Sequence, residues 1–157
     1  MALRTILKEG EEILTKKSRP VTNFDERLYT LLDDMAETMR NADGVGLAAP
    51  QVGILRRVVT VDVGDGLLEL INPEIISEKG EQEAVEGCLS FPGEYGYTKR
   101  PASVKIKAQD RYGKTKTYKG EDLLARAFCH EIDHLDGILF KQHVIRMVED
   151  SELEQAE

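Results

Sequence analysis

Near the C-terminal end of the 157-residue sequence stands the pentad His130-Glu131-Ile132-Asp133-His134. Residues four apart on a helix project from one face, so both imidazoles can reach a single ion, with Glu131 beside its open coordination position. The chemistry this allows is metal-assisted hydrolysis, in which the carboxylate moves protons for a water attacking a carbonyl. A random chain of this composition contains such a string about 0.006 times, so a chance match on a surface helix is the weaker explanation. Two histidines leave a tetrahedral site incomplete, and the further ligand must come from Cys88, Cys129, His143 or a carboxylate. Cys129 directly precedes His130, about 100° round the helix axis from it, and so points away; it reads as a small buried apolar side chain. His143 lies beyond the expected helix break at Gly137 and reads as an ordinary, partly exposed histidine. Cys88 stands in Glu86-Gly87-Cys88-Leu89-Ser90, where the glycine permits close backbone approach, and a Cys88–His130–His134 centre follows. A non-enzymatic site closed by a fourth protein ligand is the competing reading, but it has no use for a base such as Glu131.

Those side chains need elements to hold them. The pentad lies in a helical pattern over residues 121–136, with Leu124, Phe128, Ile132 and Leu135 as its core stripe and Gly137 placed as C′. An amphipathic helix is expected where Leu28, Leu31, Leu32, Met35 and Met39 recur, with Asn23 as its N-cap, Glu26 completing a capping box, and an end near residues 41–44. Val59, Val61 and Val63 alternate with polar residues, and a Gly64-Asp65-Gly66 turn returns the chain through 67–71 as a hairpin. Short strands are expected over 74–78 and 83–88. Val104, Ile106 and Ala108 alternate with Lys105, Lys107 and Gln109, and a turn at 110–113 leads back through 114–119, making a second hairpin with one wet face. The first 22 residues read as an extended arm with one helical turn. Strands without a βαβ rhythm, flanked by helices, make an α+β fold: antiparallel β-sheets packed around a central C-terminal helix, plus an N-terminal amphipathic helix.

Composition sets the class. A chain of 157 residues suits one domain, with 41% hydrophobic and 32% charged residues, typical of a globular protein. The domain is expected over 1–147, with an acidic tail at 148–157. The run from Gly44 to Leu55 lacks charge but is too short to span a bilayer and contains Pro50, so no membrane partner is expected. Arg4, Lys8 and Glu9 interrupt any apolar leader, which points to the cytoplasm. A net charge of −8 argues against an overall nucleic-acid binder, and no DNA partner is expected. Yet residues 99–119 hold eight basic residues and one acidic, a net +7. This hairpin either touches RNA or carries lysines that guard exposed sheet edges against aggregation.

Gly44-Val45-Gly46-Leu47-Ala48-Ala49-Pro50-Gln51, Glu86-Gly87-Cys88-Leu89-Ser90 and His130-Glu131-Ile132-Asp133-His134-Leu135-Asp136-Gly137, in that order, resemble the three signature motifs of the bacterial peptide deformylases. The resemblance runs to about residue 145. It implies removal of the N-formyl group from the initiator methionine of nascent polypeptides, releasing formate. The alternative is a metallohydrolase of the same fold that cleaves another small amide or peptide. Carried over, Cys88, His130 and His134 bind one divalent metal ion, Glu131 is the general acid/base, and Gln51 with the Leu89 N–H faces the formyl oxygen. The metal implied is ferrous iron (Fe2+), with Ni2+, Co2+ or Zn2+ occupying the site in some preparations. N-Formylmethionyl peptides of nascent chains are the implied partners, lying along Val45, Gly46 and Gly87 as an added strand. Val45, Leu123, Ala127 and the His130 ring fall at pocket positions for the methionine side chain. Arg126 falls there too and departs from an all-aliphatic lining; either its stem walls the pocket while the guanidinium reaches water, or it is a solvated helix position. The ribosome is a further implied partner, but the acidic tail departs from the family's basic C-terminal helix. Arg100 and Glu86 are expected to pair and brace the cysteine strand.

Overall fold

The computed structural model describes residues 2–149 and 151–152. Apolar residues returning every three or four positions build helix α1, Glu26–Asn41. Its N-cap is Asp25 and not Asn23: the Asp25 carboxylate accepts the Leu28 N–H at 3.3 Å. Phe24, partly buried, packs against the apolar cluster that α1 joins, and the helix starts only beyond it. Leu28, Leu31, Leu32, Met35 and Met39 bury themselves against Leu47, Ala49, Val58 and Ile71.

Strands β1 (Gly46–Ala48), β2 (Val58–Val61), β3 (Leu68–Lys79), β4 (Gln82–Gly87), β5 (Tyr95–Arg100), β6 (Ser103–Gln109), β7 (Thr115–Glu121) and β8 (Val144–Met147) form two sheets. One is five-stranded in the order β1-β2-β3-β6-β7, the other three-stranded in the order β4-β5-β8, and all pairings within them are antiparallel. The two segments expected around residues 71 and 74 are one long strand. Its register with β6 shifts at Ile71/Glu74 and Ile75/Ser77, and Asn72 there takes φ 53° while its amide group donates to Val21 O and Gln109 Oε1. The second hairpin has the expected wet face, with Val104, Ile106 and Ala108 buried between exposed Lys105 and Lys107.

Helix α2 (Asp122–Leu135) lies on the larger sheet, where Ala125, Phe128, Cys129, Ile132 and Leu135 pack against Val59, Val61, Leu70, Val104 and Ile106. The antiparallel sheets around a C-terminal helix are the α+β architecture that the sequence predicts. Gly137 follows α2 at φ 73°, and a Cβ on it would strike the Thr15 carbonyl, so only glycine lets the arm cross the helix end. That arm contains a 3₁₀ turn, Glu12–Thr15, which buries Leu14.

β1, β5 and β8 were not legible in the sequence. The inward face of β5 is Gly96, Thr98 and Arg100, a buried polar row without the apolar alternation that marks a strand. The basic segment also divides: Lys99 and Arg100 belong to β5, and Arg111 is taken up by Glu69 and Asp33 at 2.6 and 2.9 Å. Most of the acidic tail lies outside the described residues, although Glu152 accepts a bond from Arg146 at 2.8 Å. Among the described residues no helix is long and apolar enough to cross a membrane.

Candidate metal centre

One helical turn separates His130 and His134 on α2, and their rings meet edge to face with centroids 5.0 Å apart. Cys88 follows β4, whose Gly87 lies against the Tyr95 ring, and its Sγ stands 3.3 Å from His134 Nε2. Donor atoms of Cys88, His130 and His134 all fall within 4.8 Å of one another. A tetrahedral ion with bonds of about 2.1 Å to nitrogen and 2.3 Å to sulfur holds such donors roughly 3.6 Å apart, so the set fits one divalent cation. Cys129 is turned into the core, where burial pushes its thiol up to about 11. His143 instead meets Asp133, Nε2 to Oδ2 at 3.1 Å.

The tautomer of His130 is set by Glu86. A carboxylate only accepts, so the 2.7 Å contact between Glu86 Oε2 and His130 Nδ1 makes Nδ1 the donor and leaves the Nε2 lone pair for the centre. The expected brace is present: Arg100 reaches Glu86 through Nε at 3.0 Å and Nη2 at 2.7 Å, while its Nη1 meets Asp133 at 2.8 Å. Burial alone would raise the Glu86 carboxyl, but the bonds from His130 and Arg100 outweigh it and hold the group well below the usual carboxylate range. The expectation that the Arg126 guanidinium reaches water is corrected, although the residue does line the cavity. It is 4% exposed, and its guanidinium turns inward to Glu86 Oε1 at 2.8 Å and to the hydroxyl and carbonyl of Thr98. A buried carboxylate in reach offers more than water once the helix is packed, because desolvating an unpaired guanidinium costs several kcal/mol.

Glu131 faces β1. Burial pushes its carboxyl up to about 7, and its Oε1 is buried with no hydrogen-bond partner among the described residues, an acceptor held in reserve for a bound group. It fits there because position 46 is glycine: a Cβ would come within 2.5 Å of Glu131 Oε2. Gln51 is oriented by the 3₁₀ turn Ala49–Val52 on which it lies. Its Oε1 accepts the Ala48 N–H at 3.0 Å, which leaves the NH₂ end to donate to Ser90 Oγ at 3.1 Å and to face Cys88 Sγ at 3.6 Å. The N-terminal arm fastens this corner, with the N–H groups of Leu7 and Glu9 donating to the carbonyls of Gln51 and Ser90.

A cavity of about 440 Å³ opens over these groups. Val45, Gly46, Gln51, Gly87, Cys88, Leu89, Leu123, Arg126, Ala127, His130 and Glu131 all line it, and His134 lies beneath. Sequence reasoning missed Thr98 and Ser90, since a buried hydroxyl leaves no periodic signal.

A family model described as polypeptide deformylase matches residues 3–150. The chain is 61% identical over 155 residues to a peptide deformylase of Acetivibrio thermocellus, covering 99% of this chain and 91% of that protein. A peptide deformylase of Thermoanaerobacter pseudethanolicus is 58% identical over 155 residues, covering 99% and 98%. The crystal structure of peptide deformylase from Thermotoga maritima superposes with a TM-score of 0.89 at 43% identity, covering 90% of this chain and 97% of that one.

Proposed function

The chain belongs to the polypeptide deformylase family, and on that premise we propose that Cys88, His130 and His134 hold its metal ion and that Glu131 is its general acid/base. It is a hydrolase that removes the N-formyl group from the initiator methionine of nascent polypeptides, using a single divalent metal ion. The observation that carries the residue assignment is the convergence of one thiol and two imidazoles beside a buried carboxyl, at the floor of a cavity.

A divalent cation bound there supplies Lewis acidity, polarising the formyl carbonyl and lowering the pKa of a water. Glu131 takes a proton from the attacking water on a carboxylate oxygen and, as the C–N bond breaks, hands it to the departing amine nitrogen. The water's oxygen stays with the formyl carbon and leaves as formate. In the metal-free chain burial raises this carboxyl above its ordinary value, which favours its taking up a proton. The Gln51 NH₂ end, turned toward Cys88 because its oxygen is engaged by Ala48, and the Leu89 N–H donate to the formyl oxygen as charge develops; each such donor is worth about 3 kcal/mol. The peptide adds as a strand along Val45, Gly46 and Gly87, which reads backbone and leaves later side chains unselected. Its methionine side chain enters between Leu123, Ala127, the Arg126 stem and the His130 ring.

Ferrous iron is the ion we assign, with nickel, cobalt or zinc able to replace it, since a thiolate–bis-imidazole set binds them all. Residues 1–147 form the catalytic domain, 148–157 an acidic tail, and the enzyme works in the cytoplasm. Ribosome contact, in this reading, uses the outward lysines of β6 and β7, where Lys105 and Lys119 stand directly opposite. Cosedimentation unchanged after charge reversal at Lys105, Lys107, Lys114 and Lys116 would refute that surface. The activity is tested by anaerobic purification, metal analysis and formate release from a formyl-Met peptide against an acetyl-Met peptide. Formate from the first alone is expected, and its absence overturns the reading.

A further inference from the structure

Glu86 is surrounded by more positive charge than holding it requires. Its Oε1 accepts from Thr98 Oγ1 at 2.8 Å, Arg100 Nε at 3.0 Å and Arg126 Nη1 at 2.8 Å; its Oε2 accepts from Arg100 Nη2 and His130 Nδ1, both at 2.7 Å. Arg100 has a second carboxylate of its own, Asp133. Among the described residues Arg126 has none: its only ion pair there is with Glu86, its other contacts are the Thr98 hydroxyl and carbonyl, and its buried Nε finds no partner. Without Arg126, Glu86 would keep four hydrogen bonds and its place. As a brace Arg126 is therefore redundant, and what it adds is a buried positive charge on the carboxylate that orients a metal-binding histidine.

A carboxylate behind a ligating imidazole strengthens the ligand by drawing on its N–H proton, and a second cation on that carboxylate opposes the effect. The same charge repels the ion. Both act in one direction. We propose that Arg126 is a positioning residue which, through Glu86 and His130, loosens the hold on the metal ion and leaves that ion more electrophilic. The inference rests on the reading of Cys88, His130 and His134 as the ligands.

The test is Co2+ affinity of the full chain by chelator competition, with the thiolate-to-cobalt absorption reporting that the ion sits on Cys88. Arg126→Gln keeps a donor without the charge, Arg126→Met removes both, and Arg126→Lys keeps the charge. The two neutral variants are expected to bind Co2+ roughly ten-fold more tightly than the parent, the low end of the range for such outer partners, with Arg126→Lys within about two-fold. Neutral variants that bind equally or more weakly overturn the proposal, as does Arg126→Lys behaving like Arg126→Gln. If one neutral variant does not fold, the other decides against Arg126→Lys; failure of all three to fold makes Arg126 a stability brace and also overturns it. Cys88→Ala with parental affinity would overturn the ligand assignment itself, a result separate from any outcome at Arg126.

Discussion

Gly46→Ala places one methyl group where the Glu131 carboxyl already is. The new Cβ would stand 2.5 Å from Glu131 Oε2, 2.9 Å from its Cγ and 3.0 Å from its Cδ. Non-bonded heavy atoms settle near 3.5–4.0 Å, so the overlap is about 1 Å. Neither side can yield easily. Leu47 and Ala48 on β1 are fully buried, β1 is registered on β2 through Gly46 and Val61, and α2 is packed along its length. Relief comes from turning the Glu131 side chain, and a displacement of about 1 Å at a catalytic group costs on the order of 10²-fold in rate. Overpacking of this kind also costs about 1–3 kcal/mol of stability. At this chain length that lowers the Tm by roughly 2–12 °C. Metal per chain should not change, because no ligand is touched. The assay is kcat for formate release by the fully loaded variant, with a double-mutant cycle against Glu131→Gln. If Gly46 acts through Glu131, adding Gly46→Ala to Glu131→Gln removes little further activity. A loaded Gly46→Ala enzyme with kcat within about three-fold of the parent, or two effects that simply add, would refute the reasoning.

Glu131→Gln should retain its metal and lose about 10²–10⁴-fold in kcat, which metal analysis and a formate assay check together. Its effect on folding has a sign that depends on pH. The carboxyl is raised from 4.5 to about 7 in the folded chain, so the native state favours the protonated form and loses stability as pH climbs through that window. Chelator-treated Glu131→Gln should therefore gain on the parent in denaturant melts at pH 8 and not at pH 4. Gln51→Leu removes the donor aimed over Cys88 and strands the Ala48 N–H, so kcat should fall by about 10²–10³-fold with smaller change in KM; a large KM change at constant kcat would contradict the role. Glu86→Gln leaves two buried guanidinium groups without their shared anion and should cost about 3–5 kcal/mol in chemical denaturation. Since Glu86 is held below its ordinary range, its contribution is present above pH 4.5 and fades as pH falls; an undiminished gap between Glu86→Gln and the parent at pH 2 would count against the assignment.

Chemistry written within one element was open to reading. The two histidines and Glu131 occupy neighbouring turns of one helix, so a 3.6-residue period places them without knowledge of the rest. The alternating strands β2 and β6 showed themselves likewise through apolar residues set against the core, and β7 followed from the turn that returns it along β6. Of the three-stranded sheet only β4 was legible, because the inward row of Glu86, Thr98 and Arg100 reads as surface until the strands are paired. Arg126 misled for the same reason: on a helix considered alone, arginine belongs in water.

Short-range spacing is a property of the chain and survives in any fold, which is why the candidate ligands on α2, the helices, the hairpins and the family resemblance were visible in the sequence. Contacts between distant segments have no such record. Glu86 and His130 are 44 residues apart, and only the packing of the small sheet on α2 makes them partners at 2.7 Å. Burial then decides what each group is. It raises Glu131, turns two arginines onto one carboxylate, and makes a hydrogen atom at position 46 the only side chain with room, because charge and volume inside a packed core depend on every neighbour at once.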